Sequence, residues 1–154
     1  MSFVAVRVRG RVNVSGEIKD TMKMLHLTRV NHCVIVDNNP SIVGMLKKIK
    51  DYATWGIPKE KVVAELIRKR GRLWGDKKID DDYIRKTTPF KNIDELSKAI
   101  VEDKFRYSDI PQVKPVFRLS PPKKGYASIK RHFSVGGALG YRGEAINELL
   151  MRMI

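Results

Sequence analysis

The chain has 154 residues, 31 Lys or Arg against 17 Asp or Glu, a net charge of +14 and a pI of about 10.0. So large an excess repels itself and calls for a polyanion, nucleic acid or an anionic membrane surface. No apolar run is long enough to cross a bilayer, and the opening residues, which alternate apolar and basic types, lack the continuous apolar stretch of a signal peptide. The lone Cys33 cannot build a disulfide framework or a zinc site. The chain therefore reads as an intracellular nucleic-acid binder.

Phe3 to Arg9 opens as a strand, with Val4, Val6 and Val8 on one face and Arg7 and Arg9 on the other beside Phe3 and Ala5. Ser15 offers a helix N-cap, and Ile18, Met22 and Leu25 give the amphipathic spacing that follows it. Cys33 to Asp37 is a short apolar run, read as a buried strand in which Cys33 is a small core residue. Asn39 caps a second helix with Pro40 at its first position, and Tyr52 to Ile57 forms a third strand. Residues 1–58 thus read strand–helix–strand–helix–strand.

Residues 59–154 are less regular. Lys59 to Lys69 is expected to be helical, with Val62, Val63, Leu66 and Ile67 inward and Gly71 as a C′ residue. Asp80 to Lys86 makes a short helical turn, and Asn92 or Asp94 starts another helix carrying Ile93, Leu96 and Ile100 inward. Val113 to Leu119 forms a strand at an edge or with a break, because Pro115 cannot donate to a ladder. Ser120 to Gly143 reads as an extended loop, and Glu144 to Met153 closes the chain as a helix.

The positive charge is uneven: residues 1–57 carry +5, 58–104 carry +3 and 105–154 carry +6. From Ile110 to Gly143 there is no acidic residue, while Lys114, Arg118, Lys123, Lys124, Lys130, Arg131 and Arg142 alternate with Phe117, Tyr126, Phe133 and Tyr141. Phosphates are neutralised by cations free of carboxylates, and unpaired bases stack on aromatic rings and guanidinium planes. Candidate RNA contacts here are Lys123, Lys124, Lys130, Arg131, His132, Gly137, Gly140, Tyr141 and Arg142, the glycines allowing close backbone approach. Phe117 and Phe133 are read as core residues rather than stacking platforms. Arg68 to Lys78 holds six cations and one acid. From it Arg70 and Arg72 join the candidates, although part of that charge could serve the helix dipole. Arg7, Arg9 and Arg11 form a third set, on a sheet face that is either an RNA surface or simply solvated.

No catalytic constellation emerges. There is no phosphate-binding Gly-rich loop and no His-Glu-x-x-His pair, and His26, His32 and His132 are scattered. Asp80, Asp81 and Asp82 could hold magnesium in a nuclease, but they read better as charges at the start of a short helix. Neither cofactor nor resident metal is expected.

The run Thr21-Met22-x-x-Leu25-x-Leu27-x-Arg29-x-x-His32-x-Val34, followed by Met45-Leu46-x-x-Ile49-x-x-Tyr52, resembles the universal ribosomal large-subunit protein thirty family. Ala53 stands where that family has a β-branched residue. Trp55-Gly56-Ile57-Pro58 and Gly136 to Glu144 resemble the long archaeal and eukaryotic extension. The resemblance implies an α+β fold: a β-α-β-α-β core with a small antiparallel sheet, a relative of the ferredoxin-like fold, in residues 1–58. A mostly helical and loop extension would follow in 59–154. It implies a non-catalytic protein of the cytoplasmic ribosome. Its partners would be large-subunit ribosomal RNA and neighbouring ribosomal proteins, with no membrane and no small-molecule substrate. The rivals are an RNA-processing enzyme and a nucleic-acid architectural protein.

Overall fold

The computed structural model describes residues 2–10 and 12–154. The β-α-β-α-β unit is present: β1 (Phe3–Arg7), α1 (Gly16–Met24), β2 (His32–Val36), α2 (Pro40–Lys48) and β3 (Ala53–Gly56). The helix starts are chemically specified. The Ser15 side chain accepts from the Ile18 backbone N–H, and Asn39 Oδ1 accepts from Ile42 N–H at 2.9 Å, with Pro40 behind it. β1 lies between β2 and β3, antiparallel to both.

The second half adds α3 (Glu60–Arg70), α4 (Asp81–Thr87), α5 (Ile93–Val101), β4 (Val116–Arg118), β5 (Ser128–His132), β6 (Gly137–Tyr141) and α6 (Ile146–Met153). Its strands extend the sheet on both sides, in the order β4-β2-β1-β3-β6-β5. β4 joins β2 antiparallel, whereas β6 runs parallel to both β3 and β5. The core sheet is thus antiparallel as expected, and the complete sheet is mixed.

Ser120 to Gly143 is therefore not an extended loop. Two properties conceal its strands. β5 is an edge strand, exposed along Ser128–Arg131, so it lacks the apolar alternation of a half-buried strand. β6 is Gly-Ala-Leu-Gly-Tyr and resembles a turn, yet its first four residues are buried between β3 and β5.

Both faces of the sheet are covered over its central strands. Ala5, Val34, Ala53 and Trp55 point to one side, against Met22, Leu25 and Leu27 around α1 and Leu46 and Ile49 around α2. Val4, Val6 and Cys33 point to the other, against Val63, Leu66 and Ile67 of α3, Leu96 and Ile100 of α5, and Leu149, Leu150 and Met153 of α6. β1 serves both cores because alternate side chains leave opposite faces. Among the described residues, the β1 face that carries Arg7 is not an open arginine face.

Gly71 follows the last residue of α3 as expected, in extended backbone (φ −64, ψ 135). Glycine is needed there for space: a Cβ would strike the Ile67 carbonyl oxygen and crowd Ile79 and Tyr107. Two smaller expectations change. α6 begins at Ile146, after a 3-10 turn over Gly143–Ala145. Phe133 is 40% exposed and not a core residue, whereas Phe117 is fully buried, 4.8 Å from the Tyr107 ring.

Candidate nucleic-acid interface

The chain between β4 and β5 is a pinned surface segment. Lys124 and Gly125 take positive φ (67 and 73), and Gly125 N–H closes the turn on the Pro122 carbonyl at 3.0 Å. Arg152 of α6 donates to the carbonyls of Lys123 (3.1 Å) and Gly125 (3.0 Å), while Tyr126 Oη donates to Asn31 Oδ1 at 2.6 Å. The backbone is fixed, and the Lys123 and Lys124 side chains project from it into solvent.

β5 continues this surface. Lys130 and Arg131 are exposed on the outer edge of the sheet, and the short turn Phe133–Val135 follows. Ile129 (43%), Phe133 (40%) and Val135 (64%) lie open along β5 and its turn, and Tyr141 (50%) is open at the end of β6, its ring 6.2 Å from Phe3 and 6.3 Å from Trp55. Among the described residues, Lys123, Lys124, Lys130 and Arg131 have no carboxylate partner. Unpaired cations beside open apolar and aromatic groups are what a phosphate backbone with accessible bases requires.

Other candidates turn inward and hold this surface together. Arg142 donates from Nε to Thr54 Oγ1 (2.8 Å) and from Nη2 to the Ala138 carbonyl (2.8 Å), and its guanidinium covers the Phe133 ring at 5.0 Å. Burial pushes its pKa down from the usual arginine value. His132 Nε2 lies 3.0 Å from Asp51 Oδ1. Gly137 and Gly140 are buried, and their freedom serves the protein's own packing. A Cβ on Gly137 would collide with the Arg131 carbonyl, and one on Gly140 (φ 79) would sit 3.0 Å from His132 Nδ1. Arg7 is only 3% exposed and donates to the carbonyls of Arg9 (2.9 Å) and Leu27 (2.9 Å). Arg9 stays at the surface, 5.4 Å over the Tyr52 ring. Arg11 lies outside the described residues.

A second basic surface occupies the opposite edge, beside β4. Arg70 Nη2 donates to Ser120 Oγ (2.7 Å) and Nη1 to the Arg118 carbonyl (3.2 Å), and Arg72 donates to the Gly71 carbonyl (2.8 Å). Lys114 and Arg118 join them around Asp76, whose carboxylate lies 2.6 Å from Lys114 and 3.9 Å from Arg118. Residues some forty positions apart meet because Lys114 N–H bonds the Arg72 carbonyl at 2.9 Å. The acid-free stretch hinted at Lys114 and Arg118; their union with Arg70 and Arg72 had no sequence signal.

The acidic triplet is spent on structure. Asp80 caps α4 through the Tyr83 N–H (2.8 Å), Asp81 Oδ1 accepts from the Ile93 N–H (3.0 Å) and Asp82 pairs with Arg85. Among the described residues no group of three or more His, Cys, Asp or Glu is placed to hold a metal ion, and no helix is long and apolar enough to cross a membrane. Cys33 is wholly buried, which drives its thiol pKa far up.

Residues 3–53 match the family model described as ribosomal protein L30p/L7e. Relatives named large ribosomal subunit protein uL30 match along their full length. That of Methanoculleus marisnigri is 48% identical over 98% of this chain and 99% of the relative. That of Methanopyrus kandleri is 49% identical over 96% and 100%, and that of Methanococcus maripaludis 50% identical over 100% of both. The family signature is a folding signature: Thr21, Met22, Leu25, Leu27, Val34, Leu46 and Ile49 are all buried. With half of all positions identical from end to end, this chain belongs to the uL30 family of large ribosomal subunit proteins.

Proposed function

We propose that the chain is a structural constituent of the large ribosomal subunit, binding and stabilising its RNA in the cytoplasmic ribosome without a catalytic step, cofactor or small-molecule substrate. Residues 1–58 form the central unit, and residues 59–154 wrap it and supply most of the contacts. The observation that carries this reading is the β5 edge. Lys123, Lys124, Lys130 and Arg131 stand there exposed and without carboxylate partners, in a chain of net charge +14. The exposed rings of Phe133, on the turn after β5, and Tyr141, on β6, are offered for stacking, and Arg70 and Arg72 act from the opposite edge. Arg142, His132, Gly137, Gly140 and Arg7 act by holding the contact surface in shape. Neighbouring ribosomal proteins are its other partners.

Sedimentation of a cell extract, probed for this chain at low and at high salt, tests the proposal. Co-migration with the large subunit that resists moderate salt is the expected result. Migration as free protein, or with DNA, overturns it.

A further inference from the structure

The tip formed by Leu73 to Asp76 holds the most exposed aromatic ring of the described residues. Trp74 is 65% exposed, yet its backbone is rigidly held. Its N–H bonds the Gln112 carbonyl at 2.9 Å, Leu73 N–H bonds the Lys77 carbonyl at 2.8 Å, and Asp76 N–H returns to the Leu73 carbonyl at 3.0 Å. Gly75 (φ 90) and Asp76 (φ 59) take the left-handed conformations that close the turn. An indole left open on a fixed turn loses apolar burial with no gain for the fold.

Beside it lies an open pocket of about 240 Å³ lined by Arg70, Arg72, Asp76, Lys114, Val116 and Arg118. Lys114 Nζ sits 5.6 Å from the Trp74 ring centre, and that side chain is only 14% exposed. Two of these cations, Lys114 at 2.6 Å and Arg118 at 3.9 Å, pair with Asp76, which is itself 65% exposed and carried by a surface turn, and Arg70 and Arg72 line the same pocket. The four hold a net surplus of three charges after Asp76 is counted. No second carboxylate lines the pocket to meet that surplus.

We infer that Trp74 and this pocket form a site for one unpaired RNA nucleotide: the base stacks on the indole, and its phosphate enters the cluster of Lys114, Arg118, Arg70 and Arg72. Asp76 occupies the anion's place in the free protein and swings out when phosphate arrives. The inference rests on the RNA-binding reading above and adds to it a chemical class, an unpaired nucleotide, at the edge opposite β5. A duplex cannot use the site, because its bases are stacked on each other. The pairing of an aromatic platform with adjacent cations is the general solution for single-stranded nucleic acid.

Tryptophan fluorescence of the full chain tests it, with Trp74→Phe as the spectral blank for the buried Trp55. Single-stranded oligoadenylate is expected to quench Trp74, while an RNA duplex of equal length and inorganic phosphate leave it unchanged. Trp74→Ala should weaken oligoadenylate binding roughly 5- to 150-fold, the range for losing one stacked base. Lys114→Ala should weaken it as well, and Asp76→Asn should tighten it; thermal melts confirm that each variant is folded. Equal quenching by the duplex, or an oligoadenylate affinity indifferent to Trp74→Ala, overturns the inference. If the wild-type chain binds large-subunit RNA normally in that case, the functional proposal stands and only the nucleotide site is lost. Failure of the wild-type chain to bind large-subunit RNA at all overturns both.

Discussion

Neutralising the β5 edge should change the salt dependence of RNA binding more than any other equal change in charge. The variant carries Lys123, Lys124, Lys130 and Arg131 as alanine. All four are exposed and lack carboxylate partners, so each is free to displace a counterion from RNA. At about one unit per cation the slope of log affinity against log salt falls by about 4. Across a fourfold rise in salt that difference is on the order of 100-fold in affinity. The control, compared per charge removed, takes away three cations, Arg68, Arg85 and Lys104, each already paired with a carboxylate: Asp94, Asp82 and Glu102. These residues sit on the helical layer, and their field is screened within about 10 Å at 0.1 M salt. Binding to large-subunit RNA, titrated at a series of KCl concentrations with folding checked by melting, reads both. If the control lowers the slope per charge as much as the edge variant does, total charge sets binding and the edge geometry is irrelevant.

Arg7→Ala should cost about 1.5–3 kcal/mol of stability per hydrogen bond lost to the Arg9 and Leu27 carbonyls, with no change in salt slope for the folded fraction; chemical denaturation and the binding titration separate the two. Phe117→Ala, which empties a fully buried site beside Tyr107, should cost about 3–5 kcal/mol by the same denaturation assay. Gly137→Ala forces β5 away from β6, because the new Cβ meets the Arg131 carbonyl; hydrogen exchange should rise along β5 and RNA affinity should fall. The His32 pKa is lowered by burial first, then by Arg118, Arg29 and Arg7. The unfolded chain therefore binds the proton more readily, and stability should drop as pH falls below about 6.5, the ordinary histidine value. His32→Gln should flatten that part of the pH–stability curve.

The parts of the fold that are legible in the sequence are those encoded by neighbours in the chain. Ser15, Asn39, Asp80 and Asn92 each announce a helix, and each does cap one. The parts that are not legible depend on distant partners. Arg7 looks like a surface arginine because nothing nearby in sequence shows that the Leu27 carbonyl will accept its hydrogen bond and that helices will cover β1. β6 looks like a flexible glycine loop because the reason for Gly137 is the carbonyl of Arg131, which approaches only when the two strands pair side by side. The candidate site divides the same way. Lys123, Lys124, Lys130 and Arg131 were visible as cations in an acid-free stretch, and they are exposed. Arg142, in the same stretch, is drawn inward by Thr54 and Ala138, a pairing that only the β3–β6 register creates.

Covering both faces of a sheet leaves only its edges, its loops and the outer sides of its helices for function. In this chain those surfaces differ in charge. The helical stretch from Asp80 to Lys104 holds seven acids and five cations, so it is net negative within a protein of +14. The two edges hold the surplus of cations: Lys123, Lys124, Lys130 and Arg131 beside β5, and Arg70, Arg72, Lys114 and Arg118 beside β4. A polyanion is drawn to the edges and repelled from the α4–α5 side. Because β4 and β5 close opposite ends of one six-stranded sheet, a single RNA helix lying flat on the protein cannot satisfy both edges through a covered face. On the RNA-binding proposal, two separate RNA segments are expected instead, one at each edge, held apart by the hydrogen-bonded strands between them.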